Sequence, residues 1–210
     1  MRIIEPSYKI EDCPGREEVL RRIEEAGRTC YKSEDRITED SGAVFVKMVL
    51  ERGHESVIEH VSMTVRFVCN RGVTHEMVRH RLAAYSQEST RYCNYSKGKH
   101  DNQITIINDG YEGEKLDVWM KVIETCEWGY MRLLELGEKP QKARNLLPIA
   151  LKTEIVMTAN IREWRHVFRL RCSPLAHPQM RELMIPLLKD VAKRLPEIFG
   201  GKFEEEVLGS

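Results

Sequence analysis

Between positions 79 and 91 the chain reads Arg-His-Arg-Leu-Ala-Ala-Tyr-Ser-Gln-Glu-Ser-Thr-Arg, a concentration of guanidinium, imidazole and hydroxyl groups. From Arg71 through Arg91 there are four arginines against only Glu76 and Glu88. Guanidinium forks donate paired, charge-assisted hydrogen bonds that match a phosphate, and a serine hydroxyl or loop amides can complete the cradle. A phosphate site is the chemistry this pattern fits. On an ideal helix Arg79 and Arg81 would stand ~200° apart, so one solvent face cannot carry both and at least one is expected to point inward. A buried arginine needs an anionic partner. The competing reading is a solvated basic face paired with acidic neighbours.

A second basic cluster, Arg162, Arg165, His166, Arg169 and Arg171, follows Asn160. Arg162, His166 and Arg169 fall on one helical stripe and could line a pocket together, or form an exposed basic stripe. His54, Glu55, Glu59 and His60 are competent metal ligands by type but lack the H-E-x-x-H order of zinc hydrolases. They are read as local hydrogen-bonding or site-lining groups, and no metal is expected. His177, in Leu-Ala-His-Pro-Gln, is ambiguous on its own.

These groups need elements to hold them. Val19, Leu20 and Ile23 place a helix over 15–26, and a second helix is expected from Ser41 to Glu51. Val61, Met63, Val65, Phe67 and Cys69 alternate with their neighbours, the period of a strand with one buried face. The spacing predicts a helix over 73–82 and an extended segment from Gln103 to Ile107. Apolar positions 116, 119, 120, 123, 126, 130, 133 and 134 trace a long helix closed by Gly137. A short helix should start at Pro140 and stop before Pro148. Thr153 to Thr158 is β-branched and extended, and Asn160-Ile-Arg-Glu163 has the spacing of a helix N-terminal capping box, so a helix is expected from Ile161 to about Arg171. A last helix runs from Pro178 to Ile198, with Pro186 as a kink. The sum is an α+β fold: a small, mainly antiparallel sheet packed with long helices.

At 210 residues one catalytic domain, 1–208, is expected, with Gly209-Ser210 set apart as an appended remnant. Lys plus Arg equal Asp plus Glu at 33 each, so overall charge gives no reason for generic binding to nucleic acid or an anionic membrane. No apolar run approaches the ~18 residues of a membrane span, and the N-terminus lacks the apolar region of a secretory signal. A cytoplasmic location is expected. Six scattered cysteines without a C-x-x-C pair read as free thiols, mostly buried.

Arg79-His-Arg, seven residues, then Ser89 is similar to the R-H-R-x7-S signature of the flavin-dependent thymidylate synthases. Gly53-His-Glu before it and Arg91-Tyr92 after it extend the resemblance, which covers about Gly53 to Gln179. It implies reductive methylation of dUMP to dTMP with methylenetetrahydrofolate as carbon donor, FAD as hydride carrier and NADPH as reductant, in a homotetramer with shared sites. Carried over, His54, Ser56, Arg79, His80, Arg81, Gln87, Asn160, Arg162, His166 and His177 would contact FAD. Glu76, Arg79, Gln87, Ser89, Arg91, Arg144 and Arg171 would contact dUMP. Arg171 would be the catalytic residue, lying against the uracil ring and favouring its ionised form. A serine nucleophile needs an adjacent base to activate it, and Ser89 has Gln87, Glu88, Thr90 and Arg91 as its neighbours, so it is assigned to phosphate. Three departures stand out: position 76 is Glu where some members carry Gln, position 87 is Gln where some carry Glu, and five residues, Cys-Ser-Pro-Leu-Ala, separate Arg171 from His177 where shorter spacing also occurs.

Overall fold

A computed structural model describes residues 1–98 and 101–209. Ser210, half of the expected remnant, lies outside them. The fold is α+β and about half helical, with a four-stranded antiparallel sheet. Strands β1 (Arg2–Ile4), β2 (Ser7–Asp12), β3 (Ser62–Asn70), β4 (Ala83–Gln87), β5 (Thr105–Ile107) and β6 (Lys152–Asn160) form two sheets: β2-β3-β6-β4, and β1 with β5. The second pair is parallel, with Ile3 opposite Ile106.

Helices α1 (Arg16–Thr29), α2 (Ser41–Glu51), α3 (Arg71–Met77), α4 (Glu114–Glu135), α5 (Pro140–Ala143), α6 (Ile161–Arg171), α7 (Pro178–Arg194), α8 (Pro196–Phe199) and α9 (Lys202–Leu208) complete the described chain. Helices α2 and α6 carry the boundaries expected from pattern. In β3 and β6 the alternation of residue types becomes an alternation of buried and half-buried positions. Gly137, with φ of 88°, takes the left-handed conformation that ends α4. The last helix breaks at Leu195–Pro196, where Pro196 starts α8, while α7 continues through Pro186.

The chain divides into two compact units, each discontinuous in sequence. The first comprises Met1–Ser7, Phe67–Arg79 and Ser86–Val156. Its core gathers Tyr95, Ile104, Ile106, Ile123, Tyr130 and Leu151. The second comprises Tyr8–Arg66, His80–Tyr85 and Met157–Ser210. There Trp164, Phe168, Phe199 and Phe203 form a chain of ring contacts 5.7 to 6.0 Å apart. Trp164 meets the need of a buried indole N–H by donating to the carbonyl of Met63 at 3.0 Å. Helix α1 packs against α2 so closely that a Cβ on Gly27 would come within 2.6 Å of the Phe45 ring.

All six cysteines are free. Burial pushes the thiols of Cys69 and Cys172 up to about 12, whereas Cys30 is exposed. Among the described residues no helix is long and apolar enough to cross a membrane.

Candidate functional site

The arginine-rich stretch begins where β3 hands over to a helix. The Asn70 side chain accepts the backbone N–H of Val73 at 2.9 Å and so caps α3. The expected helix over 73–82 stops at Met77. Two forces end it: Arg79 N–H turns back to the Glu76 carbonyl at 3.2 Å, and residues from Ala83 pair as a strand beside β6. Strand pairing overrides local helical preference here. Arg79 and Arg81 therefore flank a turn, both exposed, and the buried residue is His80 between them, 5% exposed. The Tyr85 hydroxyl donates to the His80 carbonyl at 2.9 Å and fixes that turn.

Within the second unit the His80 ring lies between two charged groups. Arg171 Nε donates to its Nε2 at 2.9 Å. A guanidinium N–H can only donate, so Nε2 carries the lone pair and the proton of the neutral ring sits on Nδ1. That atom lies 3.4 Å from Glu163 Oε1. Burial first, then the charges of Arg171 and His166, push the imidazole down to about 4, so it is neutral near pH 7. Burial also raises the carboxyl of Glu163, and pushes the Tyr85 hydroxyl up to about 12, keeping it a donor. The ring of His166, which is exposed, stands edge-on to that of His80 at 5.6 Å.

Asn160 caps α6 as its spacing predicts, accepting the Glu163 N–H at 2.8 Å. That spacing reads Glu163 as half of a capping box. The structure forms the Asn160 half of that box, while the Glu163 carboxyl faces His80. Neither Glu163 nor Tyr85 is marked by a sequence signal that separates this role from capping or strand propensity.

The basic residues of α6 are largely ion-paired. Arg162 pairs with Glu59, Arg165 with Glu55 at 3.2 Å, and Arg169 with Glu206 at 2.9 Å. Arg165 is buried, lies 4.0 Å over the Phe203 ring and donates to the Ile198 carbonyl. Arg162 and Arg169 thus match the ion-paired basic face, and Glu55 and Glu59 are engaged with arginines. His54 and Ser56 are exposed at the start of the 3-10 turn Glu55–His60. His177 is exposed and caps α7, its Nδ1 accepting the Gln179 N–H at 3.3 Å.

The first unit holds Glu76, Arg79, Gln87, Ser89, Arg91 and Arg144. Gln87 Nε2 donates to the hydroxyls of Thr74 at 2.9 Å and Thr153 at 3.3 Å, which fixes its side chain. Ser89 Oγ accepts the Arg91 N–H at 3.3 Å, and its carbonyl takes the Tyr92 and Cys93 N–H groups, making a tight turn. Glu88 is held by Lys152 at 3.0 Å and by the Tyr95 hydroxyl at 3.1 Å. Arg144 donates to Thr90 Oγ1 at 3.3 Å. Arg79, Arg81 and Arg91 have no carboxylate partner among the described residues, unlike Arg16, Arg28, Arg66 and Arg165. Within the first unit, the exposed guanidinium groups of Arg79 and Arg91 suit an external anion.

Among the described residues, His80, Glu163 and His166 bring possible metal-ligand atoms within 4.8 Å of one another. The lone pair of His80 is already taken by Arg171, and a cation would sit beside that guanidinium, so the cluster does not suit a metal. A groove along α1, lined by Arg16, Leu20, Glu24, Thr38, Asp40 and Gly42 among others, contains none of the expected site residues.

Residues 15–197 match the family described as thymidylate synthase complementing protein. The chain belongs to the flavin-dependent thymidylate synthase family. The flavin-dependent thymidylate synthase of Mycolicibacterium vanbaalenii is 34% identical over 206 residues, covering 89% of this chain and 80% of that protein. That of Pyrococcus furiosus is 34% identical over 170 residues, covering 80% and 70%. The solved structure of the UMP/dUMP methylase PolB from Streptomyces cacaoi bound with 5-Br dUMP shares the fold, with a TM-score of 0.76 at 20% identity over 95% of each chain. As a member of this family the chain is a flavin-dependent enzyme.

Proposed function

We propose that this chain catalyses the reductive methylation of dUMP to dTMP. The observation that carries the reading is the R-H-R-x7-S stretch, folded as a turn that exposes Arg79 and Arg81 without carboxylate partners while its histidine holds Arg171. FAD would carry the hydride, with NADPH as its reductant and methylenetetrahydrofolate as carbon donor. All other contributions come from the protein.

Arg91, Ser89 and the amides of their turn would bind the dUMP phosphate, with Arg79 and Arg144 adding charge. Gln87, oriented by Thr74 and Thr153, and Glu76 would complete the nucleotide contacts. Arg171 would face the uracil ring, where a fixed cation favours the ionised pyrimidine. Arg81, Arg79 and Gln87, with His54, Ser56, Asn160, Arg162, His166 and His177, would hold FAD. For Arg162 this requires its exposed guanidinium to keep or exchange Glu59, an ion pair worth little in solvent.

We further propose a homotetramer with shared sites. Val118, Val122, Trp128 and Leu136 on and after α4 are 56% to 69% exposed, an apolar set that fits a subunit interface. Free thiols throughout support a reducing, cytoplasmic setting.

The test is a spectrum and an isotope. Purified protein supplied with FAD should be yellow, bleach with NADPH when dUMP is present, and release tritium from 5-tritiated dUMP when methylenetetrahydrofolate is added. Failure to retain flavin or to release tritium would refute the reading.

A further inference from the structure

We propose that Glu163 and His80 form a strut that sets the plane of the Arg171 guanidinium, making both positioning residues for the pyrimidine-facing arginine. This rests on the functional reading above for what Arg171 does, but not for the strut itself. The resemblance assigns His80 to the flavin, and three observations give its ring another task. It is buried, 5% exposed, between two exposed arginines. Its Nε2 is engaged by Arg171 Nε at 2.9 Å, and its Nδ1 faces Glu163 at 3.4 Å.

The chemistry of the three groups fixes the direction of the chain. Arg171 can only donate, so Nε2 of the neutral imidazole accepts and the ring proton is left on Nδ1. That proton faces the Glu163 carboxyl, 3.4 Å away. A guanidinium anchored through Nε has its plane fixed by the acceptor, so the aim of its terminal nitrogens follows from the ring. Every member is tied to the backbone: His80 by the Tyr85 hydroxyl, Glu163 by the Asn160 cap, Arg171 by the last turn of α6. A charged imidazole would lose its acceptor atom and repel the arginine. The low basicity of His80, depressed by burial, Arg171 and His166, keeps the strut in its working form.

The holoenzyme and three variants test this. Glu163→Leu and His80→Phe each remove one member, whereas His80→Gln keeps an acceptor near the Nε2 position. Both removals should lower kcat for tritium release on the order of 100-fold, the cost of a small misplacement of a catalytic group. FAD content and dUMP affinity by calorimetry should stay at wild-type levels, and His80→Gln should recover most of the rate. Adding Glu163→Leu to Arg171→Ala should slow it no further, because groups acting through one another do not add. Loss of flavin from folded His80→Phe, or a full additional loss in the double variant, overturns the strut.

If His80→Phe does not fold, Glu163→Leu decides alone. A crystal structure of Glu163→Leu reads the strut without turnover: a reoriented Arg171 supports it, and an unmoved His80–Arg171 pair overturns it. A wild-type protein that releases no tritium overturns the functional reading, while the strut still stands or falls on where Arg171 points in that variant.

Discussion

Asn70 and Asn160 end two strands of equal length in the same way. Each is the last of nine residues, in β3 and β6 respectively, and each side chain accepts an N–H from the residue three positions on, opening a helix with no loop between. Each is followed at the ninth and eleventh positions by arginine: Arg79 and Arg81 after Asn70, Arg169 and Arg171 after Asn160. The two junctions deliver the basic groups on which the proposed chemistry depends.

Replacing Asn160 by Ala should therefore destabilise the protein by about 1 kcal/mol, the usual cost of an N-cap. Thermal unfolding should shift down by roughly 2–4 °C for a chain of this size. Asn160→Asp, which keeps the acceptor, should lie close to wild type. An unchanged midpoint for Asn160→Ala would show that the cap contributes nothing.

Arg171→Ala is expected to cut kcat by about 100- to 1,000-fold, the range for losing a fixed donor at a reacting centre. Arg171→Lys should not rescue it, because an ammonium lacks the Nε–H that meets His80 while the fork reaches elsewhere. Single-turnover measurement of tritium release separates this from slow product loss. A lysine variant within tenfold of wild type would contradict the assignment.

The depressed basicity of His80 has a sign that can be checked. Its imidazole lies at about 4 when folded and at 6.5 when unfolded, so below 6.5 the unfolded chain takes up a proton that the folded one refuses. The stability it contributes is fully present above pH 6.5 and falls away as pH drops towards 4. The full effect is on the order of 3 kcal/mol. Glu163, raised by burial, titrates with the opposite sense. Urea midpoints between pH 7.5 and 4.5 should thus fall less steeply in His80→Gln than in wild type, and Glu163→Gln isolates the carboxyl's share. Parallel profiles in wild type and His80→Gln would refute the assignment.

On α4, Trp128→Glu or Val122→Glu should weaken self-association. Loss of an aromatic anchor at an interface costs about 2 kcal/mol or more, about 30-fold in affinity. Sedimentation should show a smaller species at micromolar protein. A tetramer unaffected by both changes would place the interface on another face.

Much of this architecture is legible from periodicity. Alternation in Val61–Cys69 locates β3, and Asn160 with Glu163 locates α6 to the residue. The helix expected over 73–82 is too long because β4 is specified by its pairing with β6, a non-local term no window of sequence contains. Strands β1 and β2 escape a periodicity reading for a different reason: only three and six residues long, they lack enough alternation to stand out. The motif falls on a turn but does not reveal what that turn buries. Helical geometry suggests an inward arginine, whereas the turn hides His80 and exposes both neighbours. Likewise the arginines of α6 are recognisable as a group, but their partners Glu55, Glu59 and Glu206 are distant in sequence.

The abrupt passage from strand to helix at Asn160 leaves no slack upstream of Arg171. One residue inserted within α6 would swing everything after it by about 100° around the axis, turning that arginine away from its imidazole. The same insertion among residues 109–113, which belong to no helix or strand, would be absorbed where it fell. Natural length variation in such a chain should accumulate in the second place and be purged from the first.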